Sequence, residues 1–276
     1  MARQPKKPAD EMSFLDHLEE LRWHIIRSII AVLIIAVIAF IMKDFIFGII
    51  ILGPKDPDFV TYKFFCYISK FLGFDDTFCT NKLDFKLQNT DMAGQFAAHM
   101  WTSIWTGVVI GFPFLVYELW KFISPGLYEK ERKNARGFIF VTSLLFFTGA
   151  AFGYFLISPL SINFFGSYHV NNQVQNIIKL DSYVALVRSS VLASGVIFEL
   201  PIIIYFFTKI GLVTPEFLKT YRKHAIVVVL LVSAIITPPD VASQIIVSIP
   251  ILILYEVSIF ISAYVLKRDK KKMKNK

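Results

Sequence analysis

Apolar residues in this chain neither alternate nor keep to one helical stripe; they run on, in six blocks separated by more polar stretches. The blocks cover about residues 24–52, 96–119, 137–165, 184–208, 224–237 and 241–266, with Lys43 and Asp44 interrupting the first and Pro159 near the end of the third. A helix needs roughly 20 residues to cross a hydrocarbon core of about 30 Å. Helices are expected throughout, because an open strand edge in lipid leaves peptide groups unpaired. The reading is therefore an all-α integral membrane protein with six transmembrane helices. The fifth block falls short of a span, so it must tilt little, thin the bilayer locally, or stop inside a recess made by its neighbours.

Charge supplies the orientation. With both termini in the cytoplasm, 21 of the 29 basic residues fall inside: those up to Arg27, those at 121–136, those at 209–223, and seven at the carboxyl end. Six of the remaining eight lie in or beside the first outer connection, where seven Asp residues offset them. Short loops carry this signal most reliably, and they agree. The chain divides into a cytoplasmic amphipathic helix (1–23), a transmembrane domain (24–266) with an outer loop at 53–95, and a basic cytoplasmic tail (267–276). The start, Met1 to Met12, is polar, so no cleavable signal peptide is expected. The net charge of +8 sits beside membrane segments, which fits topology and anionic lipid contact rather than nucleic acid. An apolar share of 55% and a mean hydropathy of +0.57 add to the membrane reading.

Cys66 and Cys79, the only cysteines, both lie in the outer loop. An oxidising compartment would permit a disulfide, and two unpaired thiols packed as small apolar groups are the alternative.

Several polar residues are candidates for function, each with a plainer role beside it. Ser13–Asp16 resembles a capping box; after it, Asp16 and Glu20 share one face of the helix while Phe14, Leu18, Leu21 and Ile25 share another. A carboxylate pair at a cytoplasmic membrane surface is unexpected, since anionic lipid repels it. Between the second and third blocks, Pro125-Gly126 breaks the chain. Glu129 and Glu131 then fall in the first turn of a new helix, where the helix dipole favours acids. Tyr117, Trp120, Phe122 and Tyr128 read as an interfacial aromatic belt. Pro238 and Pro239 end the fifth block, and Asp240 or Ser243 can cap the sixth.

Two acids, Glu199 and Glu256, lie inside apolar blocks. Glu199 is ten residues from Lys209 and Glu256 eleven from Lys267. That places both carboxyls about 15–16 Å from the cytoplasmic edge, near the midplane. Each is expected to be protonated, bonded to a hydroxyl or to a carbonyl freed by Pro201, or turned to a wet recess. Glu199 is assigned to the intramembrane polar site and Glu256 to structure.

Four stretches together resemble the TatC family, the signal-recognising subunit of the twin-arginine protein translocase. They are His-Leu-Glu-Glu-Leu-Arg (17–22), Phe-Ile-Ser-Pro-Gly-Leu-Tyr-x-x-Glu-Arg (122–132), Phe-Glu-Leu-Pro (198–201) and Thr-Pro-Pro-Asp-x-x-Ser-Gln (237–244). The resemblance implies a cup-shaped six-helix fold of the cytoplasmic (inner) membrane. It receives twin-arginine signal peptides at its cytoplasmic face and, driven by the proton-motive force, supports transport of folded proteins. Glu20 and Glu131 match the acids that bind the paired arginines, with Phe122 supporting them. Glu199 matches the acid of the membrane concavity. Thr237 and Gln244 match positions where single-span TatA- and TatB-like subunits dock; self-association is also implied. Pro54 looks like the family's proline after the first helix, and Pro125 falls within the second matching stretch. The long outer loop with its cysteine pair departs from the family pattern.

The main competitor is a solute transporter using Glu199 and Glu256 as proton-linked groups, but the two halves show no internal repeat. An intramembrane enzyme lacks support: there is no H-E-x-x-H, no G-x-S-x-G, no metal-ligand cluster among the five His, and no cofactor motif.

Overall fold

A computed structural model of the chain describes residues 14–71, 73, 79, 83, 85–124, 135–171, 174 and 176–274. Its contacts divide into two compact units, the first drawn from residues 1–42 and 100–144, the second from 43–99 and 145–276. Among the described residues, five helical stretches have the length and composition of membrane spans: His17–Ile41, Gly94–Ile123, Arg136–Ser167, Leu180–Lys209 and Val241–Arg268.

In the first unit, α1 (Phe14–Ile41) runs without a break across residue 23. The acids and bases at 19–22 are good helix formers, so the amphipathic start and the apolar span form one rod. Helix α3 (Gly94–Ile123) crosses it at Gly107, where a Cβ would lie 2.6 Å from the Val32 carbonyl oxygen. Only a glycine lets the two backbones meet, the usual device between membrane helices. The first turns of α4 (Ala135–Phe152) return to α3 through Trp120 and Phe138, whose rings stack at 4.5 Å.

In the second unit, a short turn at Lys43–Phe45, a π turn at Ile46–Ile51 and a 3₁₀ turn at Gly53–Lys55 lead to α2 (Val60–Phe71). Pro54 is fully buried, and its carbonyl accepts a 2.9 Å bond from the Tyr62 hydroxyl. Cys66 and Cys79 form a disulfide. A parallel pair of three-residue strands, β1 (Lys86–Gln88) and β2 (Ile177–Lys179), joins the connection before α3 to the one before the helix that starts at Leu180. Beneath it Ile46, Ile51, Phe85, Ile162, Tyr183, Val184 and Val187 form one apolar core.

Helix α4 passes through a π turn, Gly153–Ile157, into α5 (Ser158–Ser167). The turn accommodates Pro159, and the Ser158 hydroxyl donates to the Gly153 carbonyl at 2.9 Å. Gly149 and Gly153 lie against Ser190 and Ser194 of α6 (Leu180–Phe198) with no room for a methyl group. Helix α6 ends at Glu199, and α7 (Leu200–Lys209) starts with Pro201 in its first turn, where the missing N–H costs nothing. Next come α8 (Pro215–Thr220), capped by Thr214, then α9 (Arg222–Ile236) and α10 (Val241–Lys274). The 15 residues of α9 reach only about 22 Å, short of a span. Helix α10 continues as helix beyond residue 266, so the basic tail extends the last span.

Candidate functional site

The amino-terminal half of α1 and the carboxyl end of α3 make a site within the first unit. The His17 ring stacks on Phe122 with centroids 4.5 Å apart, and His24 approaches the same ring edge-on at 6.2 Å. Glu20 is half-buried on the turn between the two histidines. This brings Glu20 and Phe122 to one end of the α1–α3 pair. Glu131, the other acid of the expected signal-binding site, lies outside the described residues, as do the structural Pro125 and Ser13 of the capping box.

Below Phe122 sits an acid that reading the sequence passed over. Glu118 is 2% exposed, and its carboxylate accepts a 2.6 Å bond from His24 Nδ1. Lys121 Nζ is 3.4 Å from its other oxygen, and Arg27 lies 3.7 Å away. Lys121 also stands over the Tyr117 ring at 4.1 Å. Cations on two helices thus meet one carboxylate, which fixes α1 against α3 in register. The signal was present: His24, Arg27 and Glu118 all interrupt apolar runs, and such residues in membrane helices nearly always pair with one another. Beside the pair is a cavity of about 500 Å³, lined mainly by Leu21, Ile25, Ile29, Leu115 and Phe122, with His24 and Glu118 as its polar edge.

In the second unit the expected intramembrane residues have separate environments. Glu199 is 8% exposed, and neither carboxylate oxygen has a hydrogen-bond partner of ordinary geometry, although the Phe146 backbone acts on it electrostatically. Thr237 is buried and donates to the Ser233 carbonyl at 2.8 Å. Gln244 donates to the Leu230 carbonyl at 3.1 Å, joining α10 to α9. Asp240 caps α10, accepting a 2.7 Å bond from the Ser243 N–H. Pro238 is buried and Pro239 exposed at the turn before it.

Glu256 meets a partner outside the expected hydroxyls, carbonyls and water. Both its oxygens pair with Arg222 at 2.8 Å, a two-point ion pair. Arg222 had a place only as a loop cation; the short α9 carries it alongside α10. Leu218 packs there too, its carbonyl accepting a 2.8 Å bond from the Tyr255 hydroxyl.

Residues 16–250 match the family profile of TatC, the Sec-independent protein translocase protein. A TatC translocase protein of Blattabacterium is 41% identical over 264 residues, covering 95% of this chain and 99% of that one. That of Desulforapulum autotrophicum is 34% identical over 250 residues, covering 91% and 84%. A crystal structure of a twin-arginine translocase receptor, TatC, superposes with a TM-score of 0.68 at 33% identity, over 89% of this chain and 99% of the other. With nearly the whole chain matched in sequence and fold, this helical membrane protein belongs to the TatC family of twin-arginine protein translocases.

Proposed function

We propose that the chain is the signal-peptide receptor of a twin-arginine translocation system in the bacterial inner membrane, with both termini in the cytoplasm. The observation that carries this reading is the constellation at the start of α1. Glu20 lies between two histidines that hold Phe122, at the head of the segment leading to Glu131. Two arginines from a substrate call for two carboxylate acceptors, and each can form a two-point, charge-assisted bond that lysine cannot match. Phe122 offers an apolar shoulder beside them. Single-span TatA- and TatB-like subunits dock near Glu199, Thr237 and Gln244, and transport of folded cargo draws on the proton-motive force.

The test is binding of a twin-arginine peptide to the reconstituted chain. Glu20→Gln and Glu131→Gln each remove about 1.5–3 kcal/mol of charge-assisted bonding, a loss of roughly tenfold or more in affinity. Salt should weaken the wild-type interaction if the site is open to water. Unchanged affinity in both variants would reduce these acids to helix-start residues.

A further inference from the structure

Helix α2 is amphipathic in the wrong sense for a helix in water. Thr61 and Tyr62 turn their hydroxyls to the protein: Thr61 donates to the Phe155 carbonyl, and the Tyr62 hydroxyl bonds the carbonyls of Pro54 and Pro159 at 2.9 and 3.0 Å. Ser69, on the same side, is also buried. Facing outward are Val60 (67% exposed), Phe64 (57%), Tyr67 (71%) and Phe71 (80%). At about 100° per residue these four fall within an arc of roughly 60°. Lys63 and Lys70, both exposed, border one side of that arc. The helix has no acidic residue.

We propose that α2 is an interfacial helix whose Val60–Phe64–Tyr67–Phe71 stripe lies in the boundary between phospholipid headgroups and acyl chains. Three observations favour lipid over a protein partner. The stripe is continuous with a membrane-facing surface, because Phe59, next to Val60, stacks at 5.8 Å on Phe155, itself 46% exposed within the Arg136–Ser167 span. Aromatic residues of this kind gather at membrane interfaces. The two lysines, with no acid on the helix, complement phosphate, and their long stems let the ammonium groups reach it. Lys63 is 3.0 Å from Asp58, but both side chains are more than half exposed, so the pair does not sequester the charge. The disulfide at Cys66, on the same helix, ties this segment to Cys79. The connection that is longest relative to the family pattern thus acquires a role as a membrane foot. That role is independent of signal binding.

The experiment places the photo-crosslinker p-benzoyl-phenylalanine at Phe64 or Tyr67 in the full-length chain. The protein is reconstituted in vesicles of phosphatidylethanolamine and phosphatidylglycerol, alone and with a single-span subunit. Irradiation should give adducts with the mass of one phospholipid at both positions. Lys63→Glu combined with Lys70→Glu should lower their yield, and Phe64→Asp with Tyr67→Asp should make α2 susceptible to added protease while twin-arginine peptide binding persists. Adducts to a second copy or to the subunit, or no adduct at either position, would overturn the proposal.

Discussion

The pair between His24 and Glu118 makes a quantitative demand. Its 2.6 Å bond joins two side chains that are 9% and 3% exposed. Neither group has easy access to water once the other is removed. A hydrogen bond to a charged group is worth about 1.5–3 kcal/mol net, and breaking a buried ion pair costs up to about 3–5 kcal/mol. Lys121 and Arg27 also face Glu118, but their side chains are 42% and 51% exposed. Such partners are worth at most about 1 kcal/mol each, because solvent takes over when the contact is lost. An order follows. Glu118→Gln and His24→Asn should each destabilise by about 1.5–3 kcal/mol, while Lys121→Ala and Arg27→Ala should cost about 1 kcal/mol or less. The double variant should show a coupling of about 1.5 kcal/mol or more, since the second change removes a group already left without its partner. Unfolding in mixed micelles with rising dodecyl sulfate measures all five variants against the unaltered protein. Single effects that add to within about 0.5 kcal/mol would refute the argument, as would a larger loss from Lys121 than from His24.

Breaking the Cys66–Cys79 bridge should lower stability by up to about 3 kcal/mol through the loosened outer connection, and leave twin-arginine peptide affinity unchanged. Thermal unfolding and peptide titration with and without reductant check both halves. Glu199→Leu should hold or raise stability, by up to about 1–3 kcal/mol, because it removes a buried carboxyl lacking a hydrogen-bond partner. The same change should abolish crosslinking to a single-span subunit and impair transport; unfolding measurements showing clear destabilisation would mean that Glu199 is held by its own chain.

The helices were legible because apolar runs of this length admit few other structures in lipid. The short α9 was legible for the same reason, as an apolar run too brief to span. Their edges were less so. Charges at 19–22 and beyond 266 marked domain boundaries in the sequence, yet α1 and α10 pass through both, because Glu, Arg and Lys favour helix as well as water. Pairings between distant residues were not legible. His24 and Glu118 are 94 residues apart and Arg222 and Glu256 are 34 apart, so hydropathy registers each only as an interruption. The lipid-facing stripe of α2 was hidden differently. A connection read only as a loop gives no hint that Val60, Phe64, Tyr67 and Phe71 point out while Thr61, Tyr62 and Ser69 point in.

Three glutamates interrupt the apolar segments, and their surroundings separate them. Glu118 is buried and ringed by His24, Lys121 and Arg27. Glu256 is 41% exposed and held at both oxygens by Arg222. Glu199 is buried like Glu118 and, alone of the three, has no hydrogen-bond partner of ordinary geometry among the described residues. A buried carboxyl without a partner is costly, and inside a membrane helix that cost points to a functional role. The first two acids have their bonding satisfied by this chain and serve to register helices. In the third, at the break between α6 and α7 where Pro201 opens the next helix, no described side chain takes up the bonding capacity of the carboxyl. A polar side chain or backbone break on a partner helix has that chemistry, which is why the proposed function puts the docking of a single-span subunit at the α6–α7 junction.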